Sequence, residues 1–338
     1  MNNKFIYIIC LAFFFVFQVY AETDNNKRGL NWSGPLKPNT SSFLAGKYRA
    51  VIIGNNQYID EKGVWHDLKT AVRDAETIAE LLSNEYGFED ISLLKDASRK
   101  QILDTFKQLS SRVEPDDNVL VYYAGHGYLE ENQKRGYWIP ADGRGYDSST
   151  FIRNSTIRDE INIIGEKTKH TLLISDSCFS GSLLRGGNRG PTPYELNDGY
   201  YQKVGSKKSV QVLAAGGNEF VDDNYRGSGH SPFTYFLINE LKTNQSKYVS
   251  LSEIATNVIK AVANNVEQTP ESGVLQGAGD ELGEFIFARL SIDDNSVEVI
   301  VGKNIQPSQV KEIEKKAQTI RKLSNDNFEP STMPALRF

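Results

Sequence analysis

Two residues of this chain carry side chains suited to covalent chemistry, and each closes an apolar run. Val119, Leu120, Val121, Tyr122 and Tyr123 lead into Ala-Gly125-His126-Gly127, and Leu172, Leu173 and Ile174 lead into Ser-Asp176-Ser-Cys178. A thiol attacks only as its thiolate, and its reference pKa of ~8.5 leaves it mostly protonated at neutral pH. An imidazole beside it lowers that pKa or takes the proton during attack. A buried cysteine packing as a small hydrophobe and a satisfied core histidine would use the same two letters. What favours chemistry is that both residues stand in matching contexts, at the ends of strand-like runs.

Continuous apolar runs of this length read as strands buried on both faces of a parallel sheet. The carboxyl ends of such strands are where open α/β sheets place ligands. Tyr48–Gly54 reads as the first strand, followed by helical spacing from Leu68 through Leu82 and a second strand at Ile91–Leu94. Ser98 to Gln101 and Ser250 to Glu253 are capping boxes, and Ser231-Pro232 is an N-cap followed by proline at the first helical position. A helix is predicted from Ile157 to about Lys167, a strand at Val210–Ala215, and a last strand at Glu284–Ala288 that closes the sheet. The alternation predicts an α/β layered domain with a mostly parallel sheet. The glycine-rich stretch from Leu184 to Lys208 shows no periodicity and is long for a connection.

The 338 residues are 39% hydrophobic and 24% charged with a net charge of −5, which fits a globular chain with a substantial core. No basic block points to nucleic acid. Lys4, the apolar run from Phe5 and the small-residue site ending at Ala21 read as a secretory signal, with an uncleaved anchor as the alternative. The expected organisation is a signal at 1–21, a leader at 22–45, one domain at 46–290 and an extension at 291–338. Cys10 falls within the signal, which leaves Cys178 as the only thiol beyond it. An unpaired cysteine in an exported chain is an oxidation liability, so its presence favours a chemical role.

His126 precedes Cys178 by 52 residues, the order and approximate spacing of caspase-type peptidases. With Gly-His126-Gly and Asp176-Ser-Cys178-Phe-Ser-Gly, the chain resembles the caspase-like clan of cysteine peptidases, closest to a bacterial metacaspase-like branch, over roughly Tyr48 to Leu290. The resemblance implies a three-layer fold with a mostly parallel, roughly six-stranded sheet flanked by helices. It implies His126 as general base and acid, Cys178 as nucleophile, and the amides of Gly127 and Cys178 as oxyanion donors. It also implies that Asp74 and Asp176 line the pocket for the residue before the scissile bond and select arginine or lysine. Charge-assisted hydrogen bonds to a guanidinium supply the physical reason. Asp74 pairing with Arg73 or Lys69 on a solvated face is the alternative. Gly125 and Gly127 are expected to let the backbone turn sharply. Glu219 and Asp222 would add charge to the rim or lie on a solvated loop.

Departures from the pattern narrow the expectation. Phe179 stands where many metacaspases have histidine, and Arg185 where an aspartate helps bind calcium. Arginine cannot ligate a cation that needs oxygen donors. No zinc spacing or phosphate loop occurs, so no metal or cofactor is expected. Arg185, Arg189 and Lys203 to Lys208 offer basic points for self-cleavage. The reading is an exported cysteine endopeptidase acting on a peptide or protein with a basic residue before the cut. Its rivals are a non-catalytic caspase-like binding module and a caspase-like peptidase selecting aspartate.

Overall fold

The structure is a computed structural model, and it describes residues 45–178, 183–184, 196–216, 223–275, 277 and 279–290. The signal segment, the leader up to residue 44, Phe179, Arg185, Arg189, Glu219, Asp222 and the extension from 291 lie outside the described residues. No described helix is long and apolar enough to cross a membrane.

In chain order the elements are β1 (Tyr48–Gly54), α1 (Ala71–Tyr86), β2 (Phe88–Lys95), α2 (Arg99–Arg112), β3 (Asn118–Ala124), β4 (Gly127–Glu130), β5 (Arg135–Trp138), β6 (Ile152–Arg153), α3 (Asn154–Lys167), β7 (His170–Asp176), α4 (Asp198–Gly205), β8 (Ser209–Ala214), α5 (Pro232–Thr243), β9 (Tyr248–Ser250), α6 (Leu251–Ala263), β10 (Glu271–Val274) and β11 (Ile286–Ala288). The central sheet runs β10-β8-β7-β3-β1-β2. The four strand pairs from β8 to β2 are parallel, and β10 lies antiparallel on β8.

Every residue of β1, β3 and β7 is buried because helices cover both faces. The two-residue period of a strand sends neighbours to opposite layers. Ala50, Ile52, Leu120, Tyr122, Leu172 and Ile174 join the core formed with α1, α5 and α6. Val51, Ile53, Val119, Val121, Tyr123 and Leu173 join the core formed with α2 and α3. A continuous apolar run is therefore two alternating faces, each with its own layer of helices. The strand β2, at the sheet edge, shows an intermittent burial pattern instead.

The capping predictions hold. Ser98 and Gln101 close a reciprocal box at α2, Ser250 and Glu253 do so at α6, and Ser231 accepts from the Thr234 amide ahead of Pro232 in α5. Each cap satisfies backbone donors that would otherwise be orphaned and contributes about 1 kcal/mol.

Three expectations change. The last strand, β11, pairs with β9 in a separate two-stranded sheet rather than closing the central one. The closing strand is β10, whose Glu-Ser-Gly-Val composition has no strand signature; it is recruited by hydrogen bonding to the free edge of β8. Within the unperiodic glycine-rich stretch, Asp198–Gly205 is a helix capped by Asn197, with Tyr201 and Val204 packed against Ile286 and Tyr248. Lys203 therefore lies in α4 rather than on an extended loop.

Candidate active site

In the β3–β7 pairing Ala124 stands opposite Asp176, so His126 and Cys178 each lie two residues past the last paired position. Both line one cleft of about 360 Å³ at the carboxyl end of the sheet, with Trp65, His66, Asp74, Gly127, Asp176, Asp223 and Ser231 among its walls. Their approach leaves no room at Gly127. A Cβ there would fall 2.1 Å from the Cys178 carbonyl oxygen and 3.2 Å from its nitrogen. Gly125 is hemmed in as well, since a Cβ would lie 2.7 Å from the Tyr123 hydroxyl and 2.9 Å from that of Tyr58. Sequence reading took these glycines for turning points. Gly127 has no positive φ, and close backbone approach is what requires it.

His126 is fixed from three sides. Its backbone amide donates to the Tyr58 hydroxyl at 2.9 Å, and its carbonyl accepts from the Tyr123 hydroxyl at 2.9 Å and the Ile139 amide at 3.0 Å. Tyr123 stacks on Trp138 at 4.1 Å, which ties the histidine to the sheet core. The ring Nε2 lies 2.7 Å from the His66 carbonyl oxygen. A carbonyl only accepts, so Nε2 carries the proton and Nδ1 of the neutral ring holds the lone pair. Burial pushes the His126 pKa down, against the carbonyl bond that raises it. The ring is thereby held neutral and ready to accept a proton.

The loop bearing His66 is organised by Asp60, whose carboxylate accepts from the amides of Lys62, Val64, Trp65 and Gly145 at 2.8–3.1 Å. Trp65 then packs against the His126 ring at 5.6 Å, with Tyr58 on it at 4.8 Å.

The two aspartates meet at the cleft. Asp74, in the first turn of α1, is 1% exposed, which rules out the solvated pairing with Arg73 or Lys69. Its Oδ1 lies 2.6 Å from His230 Nδ1, and its Oδ2 accepts from the Ser231 amide at 3.3 Å. Oδ2 of Asp176 accepts from the hydroxyls of Ser231 at 2.5 Å and Thr234 at 2.7 Å. Burial, then the nearby charge of Asp74, pushes the Asp176 pKa up to about 7. Burial also raises that of Asp74, opposed by its bonds to His230 and Ser231. A third carboxylate, Asp223, lines the cleft and accepts from the amide of Lys69 at 2.6 Å and from the amide and hydroxyl of Thr70. Among the described lining residues there are three carboxylates and no lysine or arginine. Among the described residues no cluster of three or more histidine, cysteine or acidic side chains is placed to hold a metal ion.

Sequence reading missed His66, Trp65, His230 and Asp223. His66 acts through its backbone carbonyl, which has no residue-type signature. His230 stood beside a recognised N-cap, and three of the four histidines, His66, His126 and His230, gather at this cleft.

Comparison with known proteins adds a family. Residues 47–276 match the caspase domain of a peptidase family. Metacaspase-1 of Schizosaccharomyces pombe is 27% identical over 192 residues, 46% of this chain and 42% of that protein. Metacaspase-1 of Saccharomyces cerevisiae is 29% identical over 166 residues, 45% of this chain and 37% of that protein. The chain thus spans less than half the length of these curated relatives. The crystal structure of Caspase-1 from Spodoptera frugiperda aligns at TM-score 0.49 and 14% identity over 75% of this chain and 96% of that one.

Proposed function

The chain belongs to the caspase-domain peptidase family, and from that premise we propose that it is a cysteine endopeptidase cleaving after arginine or lysine. The observation that carries this reading is the β3–β7 register, which delivers an imidazole and a thiol to one cleft beside two buried carboxylates. In the proposed cycle His126 Nδ1 takes the Cys178 proton, and the sulfur attacks the scissile carbonyl carbon. The resulting oxyanion is held by the amides of Gly127 and Cys178; one such donor is worth roughly a hundredfold in rate or more. The imidazolium then protonates the leaving amine, and water, deprotonated by the same ring, releases the acyl group from sulfur.

Basic specificity is supported by the carboxylate-rich, cation-free lining of the described cleft. A guanidinium gains charge-assisted bonds there, whereas a substrate aspartate would meet like charge. Self-processing is part of the proposal. Helical placement of Lys203 removes it from that proposal, since cleavage needs extended backbone, and leaves Arg185, Arg189, Lys207 and Lys208 as the basic points to test. Export through residues 1–21 also remains a proposal, tested by amino-terminal sequencing of protein recovered outside the cytoplasm.

Fluorogenic peptides ending in arginine, lysine or aspartate, assayed with wild type and Cys178→Ala, test the function. The expected result is turnover of the basic peptides by wild type alone. Turnover confined to the aspartate peptide would overturn the specificity, and equal turnover by Cys178→Ala would overturn the nucleophile.

A further inference from the structure

Residues 55–70, between β1 and α1, hold no helix or strand, yet they supply the carbonyl that orients His126. A connection of that length without elements of its own is uncommon in a compact domain and is usually functional. Its shape has to come from side chains. Two ties close its base: the Tyr58 amide donates to Asp67 Oδ1 at 3.0 Å, and the Leu68 amide donates to the Asn56 carbonyl at 2.8 Å. The tip is held by Asp60. Its Oδ1 accepts from the amides of Lys62 and Gly145, and its Oδ2 from those of Val64 and Trp65.

Trp65 and Gly145 each donate an amide to Asp60, and the Trp65 indole N–H donates to the Gly145 carbonyl at 2.7 Å, which closes a circuit. Gly145 sits in the left-handed region at a φ of +51°, which suits a glycine. The circuit ties the tip to the connection between β5 and β6. His66 follows Trp65, so its carbonyl is set one residue beyond an amide that Asp60 grips. Hydrogen bonds to an ionised carboxylate are roughly twice as strong as neutral ones. Desolvation works to raise the Asp60 pKa, but the four amides carry it below the ordinary value, so the clamp is charged at neutral pH.

We propose that Asp60 is a positioning residue for catalysis, whose carboxylate holds the His66 carbonyl against Nε2 of His126. The inference rests on the peptidase reading and deepens it. Donation of Nε2–H to a fixed carbonyl leaves Nδ1 as the basic nitrogen and stops the ring from turning. With the carbonyl free to drift, Nδ1 spends less time aimed at the Cys178 proton. Asp60 itself touches neither substrate nor reacting atoms. On the proposed reading the substrate's basic side chain meets Asp74 and Asp176, which are held by His230, Ser231 and Thr234, all outside the tip. Effects on rate and on affinity therefore separate. Because the base of the loop has its own ties, removing Asp60 frees the tip and leaves the ends fastened.

The test is the kinetics of an arginine-ended fluorogenic peptide with wild type, Asp60→Ala and Asp60→Asn, and with Glu61→Ala as the exposed neighbouring control. Asparagine keeps one acceptor oxygen and loses the charge. In Asp60→Ala kcat should fall by up to about a hundredfold, the scale of a small misplacement of a reacting group. In Asp60→Asn it should fall less. KM should stay in place in both, and Glu61→Ala should match wild type. Thermal melts report folding. Nuclear magnetic resonance of protein carrying 15N-labelled histidine gives a readout besides activity. The proton on His126 Nε2, assigned by its loss in His126→Gln, should be shielded from exchange with water in wild type and Glu61→Ala, and exposed to it in both Asp60 variants. Unchanged kcat in Asp60→Ala, a loss of kcat/KM carried by KM, or a His126 proton still shielded would overturn the proposal and leave the peptidase reading intact. Unfolding of both variants would overturn it too, since Asp60 would then support the whole domain. Absence of turnover by wild type would overturn the proposed function, and this inference with it.

Discussion

At the amino end of the central sheet Arg49 stands between two aspartates, with Asp117 at 2.6 Å and Asp90 at 2.5 Å. Asp117 is buried and also accepts the amides of Lys47 and Glu114, so its charge is fully matched. At the carboxyl end Asp74 and Asp176 are equally buried, but they face each other with one histidine and a few neutral donors between them. The first arrangement ties β1, β2 and the start of β3 together. The second keeps two buried carboxyl groups so close that burial and the charge of Asp74 push the Asp176 pKa up, a cost a purely structural site would avoid. Carboxylates left short of cations within a cleft suit a site awaiting a cationic ligand.

The largest effect that would break this comparison is expected from Arg49→Leu. Removing the cation leaves Asp117 buried and unmatched, at a cost of ~3–5 kcal/mol in urea unfolding, while KM of the folded fraction stays the same. A little smaller, and opposite in logic, is Asp176→Asn. Because the folded protein holds this acid neutral up to about pH 7, from an ordinary value of 3.8, its contribution to stability is complete below about pH 4. That contribution is lost as the pH rises through 7. Wild type should therefore lose on the order of 3 kcal/mol across this range that Asp176→Asn retains. The variant should also turn over arginine peptides poorly. Wild-type and variant stability curves that stay parallel from pH 4 to 8 would show that the carboxyl end is as well matched as the amino end.

Gly127→Ala addresses the cleft without touching charge. Its Cβ must displace the Cys178 carbonyl, so kcat should fall by about a hundredfold or more, with the chain still folded by circular dichroism. The smallest effect is expected from Ser98→Ala. Loss of the α2 cap costs ~1 kcal/mol in thermal unfolding and leaves peptide kinetics unaltered, because α2 lies outside the cleft.

What was legible in the chain was whatever local chemistry writes into residue order. The apolar runs of β1, β3 and β7 announced buried parallel strands, since burial on both faces requires unbroken apolar sequence. Ser98, Ser231 and Ser250 announced helix starts through their own hydroxyls. Asp176 could be placed at the cleft because it ends β7 two residues before Cys178. By contrast β10 was illegible, because its place depends on an open neighbour edge rather than on its own side chains. The role of Asp60 was hidden too, since a carboxylate gathering four amides looks like any loop aspartate in a sequence.

By itself the sequence determined the parallel α/β layering and the placement of a histidine and a cysteine just beyond strand ends, because both follow from spacing within short segments. Only the tertiary structure decided which partners those residues meet. His230 lies 156 positions from Asp74, and the carbonyl orienting His126 comes from 60 positions away. Such contacts arise when packed layers bring distant backbone and side chains to one sheet edge, and no local pattern of residue types encodes where that edge will gather them.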